Sequence, residues 1–78
     1  MNRKRIFDEN GVKAFANRLK EVRKQKKYTQ ERLAFEADIE LSQIARIETS
    51  RINPTLSTIL RIAKTLGVHP RELFDTEF

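Results

Sequence analysis

Cysteine is absent from this 78-residue chain, which excludes disulfides, a thiolate zinc site and a cysteine nucleophile. Glycine and proline occur only twice each, and no glycine-rich loop is available to cradle phosphates. The acidic residues are scattered rather than set in metal-ligand pairs. His69 is the only histidine; beside Pro70 at a helix start it reads as a substitute cap rather than a general base, because no nucleophile or carboxylate is grouped with it. Apolar runs are a few residues long, far short of a membrane span, and MNRKRIF is not followed by a signal-peptide apolar stretch. These absences lead us to expect a soluble cytoplasmic protein that is not an enzyme and uses neither a metal nor a small-molecule cofactor. The length leaves room for one domain, whose core is small but sufficient if helices pack well.

Basic charge is present, and it is unevenly placed. The net charge is +5. Residues 1–30 hold ten Lys and Arg against three acidic residues, a net of +7, so the other 48 residues carry −2. A basic half points to a polyanion, and an acidic remainder argues against a chain that is uniformly sticky. For lysines such as Lys20, Lys24 and Lys27, a solvated helix face is the alternative use.

The apolar periodicity is helical throughout. Residues 1–10 are polar and basic without a sustained period and read as a flexible arm, followed by a single domain over residues 11–78. A first helix is expected from about Val12 to Lys26, capped by Asp8 or Asn10, with Val12, Phe15, Leu19 and Val22 inward. Residues 29–50 then read as two short amphipathic helices joined by a tight turn. Thr29 is the N-cap of the first, whose apolar side holds Leu33, Ala34 and Ala37. The pattern breaks at Asp38, which tolerates a left-handed backbone, and resumes at Leu41, Ile44 and Ile47. A turn of about three residues makes the helices cross steeply, and Ala34 keeps the crossing close. Ile39 in the turn, with Ile44 and Ile47, closes the core beneath it. Glu40 and Gln43 stand at the N-cap and N3 positions of the second helix, a capping-box arrangement with Glu in place of Ser or Thr. That is the outline of a helix-turn-helix reader of DNA. Pro54 forbids continuation of the second helix. A fourth helix follows, capped by Thr55 or Asn53, with Leu56, Ile59, Leu60, Ala63 and Leu66 buried and Gly67 as its left-handed end. Pro70 opens a short fifth helix over Arg71 to Phe74. The expected fold class is all-α, a compact five-helix domain with the helix-turn-helix at about residues 29–50.

The segments FANRLKEVRKQKKYTQ, ERLAFEADIELSQIARIE and NPTLSTILRIAKTLGVHPRELF together resemble the lambda-repressor-like family of helix-turn-helix regulators, of the Cro/CI or xenobiotic-response-element type. The resemblance covers about residues 15–75. Two positions depart from the family pattern. Asp38 stands where Gly is usual, and Thr49-Ser50 replaces the usual polar residue and Gly, which puts strain on Ser50 if its φ is positive.

The resemblance implies sequence-specific binding of double-stranded DNA. Laid in the major groove, the second helix of the pair presents Glu40, Leu41, Ser42, Gln43 and Arg46. Arg46 suits guanine O6 and N7. Glu40 suits cytosine N4 or serves only as a cap, Gln43 suits adenine or a phosphate, and Leu41 touches a thymine methyl or packs on the preceding helix. By the resemblance, Gln30 binds a phosphate and braces the recognition helix, with help from Thr29 and the helix N-terminus. Arg51, Asn53 and the start of the fourth helix are placed on the phosphates across the groove, where they set register. Arg23 and Glu48 match the family's salt bridge between the first helix and the end of the recognition helix.

The family usually pairs two copies. Leu73, Phe74 and Phe78 are the expected dimer interface, unless Leu73 and Phe74 simply finish the monomer core. The resulting reading is a transcriptional regulator that binds a near-palindromic operator as a homodimer and, lacking a sensor domain, acts by occupancy. The alternative is a helical interaction module such as an antitoxin that mainly binds a toxin; a nonspecific nucleic-acid binder relying on the basic half is a third reading.

Overall fold

A computed structural model describes residues 6–78. Four α-helices and a terminal 3-10 turn follow one another: α1 over Glu9–Gln25, α2 over Gln30–Ala37, α3 over Leu41–Glu48, α4 over Leu56–Leu66, and the 3-10 turn over Pro70–Phe74. No strand occurs among the described residues. The expected fifth α-helix is thus a 3-10 turn. His69 starts it: its Nδ1 accepts from the Arg71 N–H at 3.1 Å, while the Glu72 carboxylate accepts from the His69 N–H at 3.2 Å. Five residues are too few for the α-helical ladder to offset its costly nucleus.

Helix α1 begins earlier than its apolar pattern suggests. The Asp8 carboxylate accepts from the Gly11 N–H at 2.9 Å and caps a helix whose first residue is Glu9. Asn10 therefore lies inside the helix, and the arm expected over residues 1–10 ends before Asp8. Its first five residues lie outside the described part. Thr29 caps α2 through the Arg32 N–H at 3.0 Å, and Thr55, rather than Asn53, caps α4 through the Thr58 N–H at 3.2 Å.

The four α-helices end in the same way. Lys27, Asp38, Ser50 and Gly67 all have left-handed backbones, with φ of 61°, 56°, 57° and 72°. At each end the next residue donates its N–H back to the carbonyl five positions earlier: Tyr28 to Arg23, Ile39 to Ala34, Arg51 to Arg46, and Val68 to Ala63, at 2.9 to 3.0 Å. These are Schellman terminations, which satisfy orphan helix carbonyls and turn the chain sharply. Gly67 adopts this backbone freely. Lys27 and Ser50 carry the cost of a Cβ there, and Asp38 tolerates it better.

One core joins the helices. It contains Phe15, Leu19 and Val22 from α1, Leu33, Ala34 and Ala37 from α2, Ile44 and Ile47 from α3, Ile59, Ile62, Ala63 and Leu66 from α4, and Val68 and Leu73 beyond it. Two expected faces are rotated. Val12 is only half-buried while Ala16 is inside, and Leu56 and Leu60 are exposed while Ile62 is inside. On α4 the buried positions 59, 62, 63 and 66 form a narrower stripe than the apolar composition suggests. Leucine on the flank is left over.

The 3-10 turn is bound tightly to α1. Arg18 Nε donates to the Glu72 carbonyl at 2.7 Å, and the Phe15 and Phe74 rings lie 5.1 Å apart. Leu73 is completely buried. It completes the monomer core, the alternative to a dimer contact, and contributes roughly 1.5 to 3 kcal/mol of burial.

Candidate nucleic-acid interface

Helix α3 places its residues by elementary periodicity. Ile44, Ile47 and Glu48 turn inward, so Ser42 and Arg46, one turn apart, face outward and are exposed. Glu40 is exposed too, and Gln43 is half-buried at the edge. Thr49 extends the outward flank by one more position, and its hydroxyl donates to the Ala45 carbonyl at 2.9 Å. Nothing in the residue type announced it. Leu41, 42% exposed, borders a hollow with Phe35, Ile39, Thr58 and Arg61, between α2 and α4. It lies at the junction between packing and display.

The start of α3 is open. Glu40 occupies the N-cap position but makes no side-chain cap hydrogen bond, so the expected capping box with Gln43 does not form. Its carboxylate is free for another partner.

The end of α3 is fastened by charge. Arg23 Nε and one terminal guanidinium nitrogen donate to the two oxygens of Glu48 at 2.6 and 3.0 Å, and the other terminal nitrogen donates to the Tyr28 carbonyl at 2.8 Å. Both side chains are at least nine-tenths buried, at 9% and 1% exposure. Gln30 Nε2 donates to Glu48 Oε1 at 2.9 Å. One carboxylate therefore ties together the end of α1, the first residue of α2 and the last residue of α3. Such a pair forms a two-pronged, charge-assisted contact with its geometry set by the planar guanidinium.

This arrangement also orients Gln30. With a carboxylate as acceptor, the amide must present nitrogen rather than oxygen to Glu48, and that nitrogen keeps a second hydrogen. Thr29, exposed beside it, lies at the positive N-terminal end of α2. Arg51 and Asn53 are exposed in the loop that leads from α3 to α4.

A second set of contacts was not foreseen in the residue pattern. The Tyr28 hydroxyl donates to Glu36 at 2.9 Å and lies 3.2 Å from the Thr65 carbonyl of α4, and the Arg32 guanidinium sits 3.9 Å above the Tyr28 ring while its Nε donates to Glu36 at 2.8 Å. The Arg32 and Tyr28 hydrogen bonds hold the Glu36 carboxyl below its ordinary range, and accepting by Glu36 raises the Tyr28 phenol. The cluster links the start of α2 to α4 and so helps hold Thr29 and Gln30 in place. The opposite charges of Arg32 and Glu36 at i,i+4 were a visible signal. Tyr28 was not, because its role depends on the left-handed turn at Lys27.

No group of three or more potential metal ligands lies together among the described residues. None of the helices is long and apolar enough to cross a membrane.

Comparison with known proteins agrees with the geometry. The HTH_3 helix-turn-helix family model matches residues 19–73. The chain is 45% identical over 51 residues to the immunity repressor protein of Bacillus phage phi105, a match covering 65% of this chain and 35% of that protein. It is 39% identical over 62 residues to the control protein C.BamHI of Bacillus amyloliquefaciens, covering 78% of this chain and 76% of that one. The structure resembles that of the restriction-modification controller protein C.AhdI from Aeromonas hydrophila with a TM-score of 0.78 and 38% identity, over 81% of this chain and 96% of the other. The chain thus spans only about a third of the phage repressor that it matches.

Proposed function

Because the chain belongs to the HTH_3 helix-turn-helix family, we propose that it is a sequence-specific DNA-binding transcriptional regulator that acts in the cytoplasm as a homodimer. The observation that carries this reading is the outward stripe of Ser42 and Arg46 on a helix whose far end is locked by buried charge. In this reading Arg46 contacts guanine, Glu40, Leu41, Ser42 and Gln43 meet neighbouring bases, and Thr29, Gln30, Arg51 and Asn53 hold phosphates. The phage repressor and the two controller proteins support the regulatory role.

Dimerisation is proposed through the apolar side chains that the monomer leaves over. Phe74 and Phe78 are 42% and 65% exposed with rings 6.3 Å apart, and Leu56 and Leu60 of α4 are exposed as well. Paired symmetrically, two copies present recognition helices to half-sites about 10 base pairs, or roughly 34 to 36 Å, apart.

Selection from randomised duplexes tests the reading directly. A near-palindromic preferred sequence is expected, with affinity falling in salt at a log-log slope of about −0.9 per phosphate neutralised. No sequence preference at moderate salt defeats the proposal and leaves a protein-interaction module or a nonspecific binder. Sedimentation of the intact chain and of a Phe78→Glu variant tests the dimer: a monomer at high concentration that binds one copy per site rules it out.

A further inference from the structure

Thr49 has no role in the proposed function, yet it stands in the middle of the displayed face. Ile44, Ile47 and Glu48 define the buried side of α3. At about 100° per residue, the opposite direction falls among Ser42, Arg46 and Thr49, spaced i, i+4 and i+7. All three are exposed. Thr49 is the C-cap, and its N–H still donates to the Ala45 carbonyl at 3.1 Å, so it keeps the helical register.

Its hydroxyl hydrogen is already committed. A carbonyl oxygen can only accept, so that hydrogen is directed to Ala45 at 2.9 Å, with the Arg46 carbonyl next at 3.4 Å. Outward, Thr49 therefore offers oxygen lone pairs and a methyl group but no hydrogen. Phosphate oxygens also only accept, so this hydroxyl has nothing to donate to them. Guanine N7 and O6 are unsuitable for the same reason. In the major groove the complementary groups are the amino groups of adenine and cytosine and the methyl group of thymine, and only an A·T pair carries an amino donor and a methyl together.

We propose that Thr49 is a specificity-determining residue that reads an A·T pair, its Oγ accepting from adenine N6 and its methyl group touching the thymine methyl. The inference rests on the DNA-reading function proposed above. Thr49 lies three residues beyond Arg46, a rise of about 4.5 Å along the helix against about 3.4 Å per base pair. The A·T pair is therefore the neighbour of the pair whose guanine Arg46 contacts. The two side chains are opposite in polarity: Arg46 has only donors and suits the acceptors of guanine, whereas Thr49 has none free and suits a donor.

The test is selection from randomised duplexes followed by titration. The pair that Arg46→Ala relaxes marks the guanine, and the pair beside it should be A·T. Thr49→Val keeps the shape and a methyl group but removes the acceptor. It should bind the selected duplex about 2- to 10-fold more weakly than the intact chain, and equally well once that A·T pair is changed to G·C. Deoxyuridine in place of the thymidine should weaken the intact chain about 3- to 4-fold and leave Thr49→Ser, which lacks the methyl group, unaffected. The salt slope should not change in either variant, because no phosphate contact is removed. Equal losses by Thr49→Val on the A·T and G·C duplexes, a shallower salt slope, or a G·C pair beside the guanine overturns the proposal. An intact chain without sequence preference defeats the DNA-reading function itself; a sequence-selective chain whose A·T preference survives both Thr49 variants defeats only this inference.

Discussion

The two ends of the recognition helix are built oppositely. At its start, Glu40 leaves the helix uncapped by its side chain, and Leu41 and Ser42 are exposed. At its end, Glu48 is buried, accepts from Arg23 and Gln30, and is followed by a Schellman turn at Ser50. The difference separates display from positioning. A side chain that is to meet a base must keep its hydrogen-bonding groups free, whereas a helix that is to present it must be held within a fraction of an ångström. The strong interactions therefore lie on the buried side at the end of the helix and not at its open start.

The largest effect is expected from cutting the fastened end. Glu48→Ala leaves the Arg23 guanidinium buried without its carboxylate, and a loss of about 3 to 5 kcal/mol in unfolding free energy is expected, measured by urea denaturation. A loss below 1 kcal/mol would mean that water reaches the guanidinium and that the end is not locked. The displayed side should behave differently. Arg46→Ala is expected to leave the urea midpoint nearly unchanged while costing about 1 to 3 kcal/mol on the preferred duplex and relaxing one base position. Equal losses on preferred and scrambled duplexes would place Arg46 on a phosphate.

Two smaller changes sharpen the comparison. Ser50→Gly removes the Cβ from a left-handed residue and should stabilise the fold by roughly 1 kcal/mol, the relieved strain exceeding the added entropy of the unfolded chain. A calorimetric midpoint at or below that of the intact chain would refute strain at this end. Glu40→Ser installs a good cap at the open end and should add roughly 0.5 kcal/mol. If base preference is untouched, Glu40 plays no part in reading; if one position relaxes, the carboxylate is left uncapped because it has a base to meet.

Much of this was legible locally. Thr29, Gly67 and His69 act where their chemistry predicts, because a cap or a left-handed end depends on one residue and its immediate neighbours. The Asp38 break and the apolar residues of α2 and α3 outlined the helix-turn-helix for the same reason. Arg46 was readable as an outward residue because Ile44 and Ile47 specify the inward side. The Glu40 box failed on a local rule, since a longer side chain has no obligation to fold back where Ser would.

What the sequence by itself determined was the number of α-helical segments before the last turn, their approximate ends and the polar stripe of α3, all set by interactions within a few residues. Tertiary structure alone decided which leucines of α4 were inside, that Leu73 belongs to the monomer core, that Lys27 takes a left-handed backbone, and that Tyr28 bridges to Thr65. An apolar stripe gives a helix an inner side only to within a turn's width, and the neighbour packed against it selects the residues that are covered. Glu48 falls between the two: its pairing with Arg23 was implied by the family resemblance, but the donation from Gln30 to the same carboxylate exists only once three helix ends have come together.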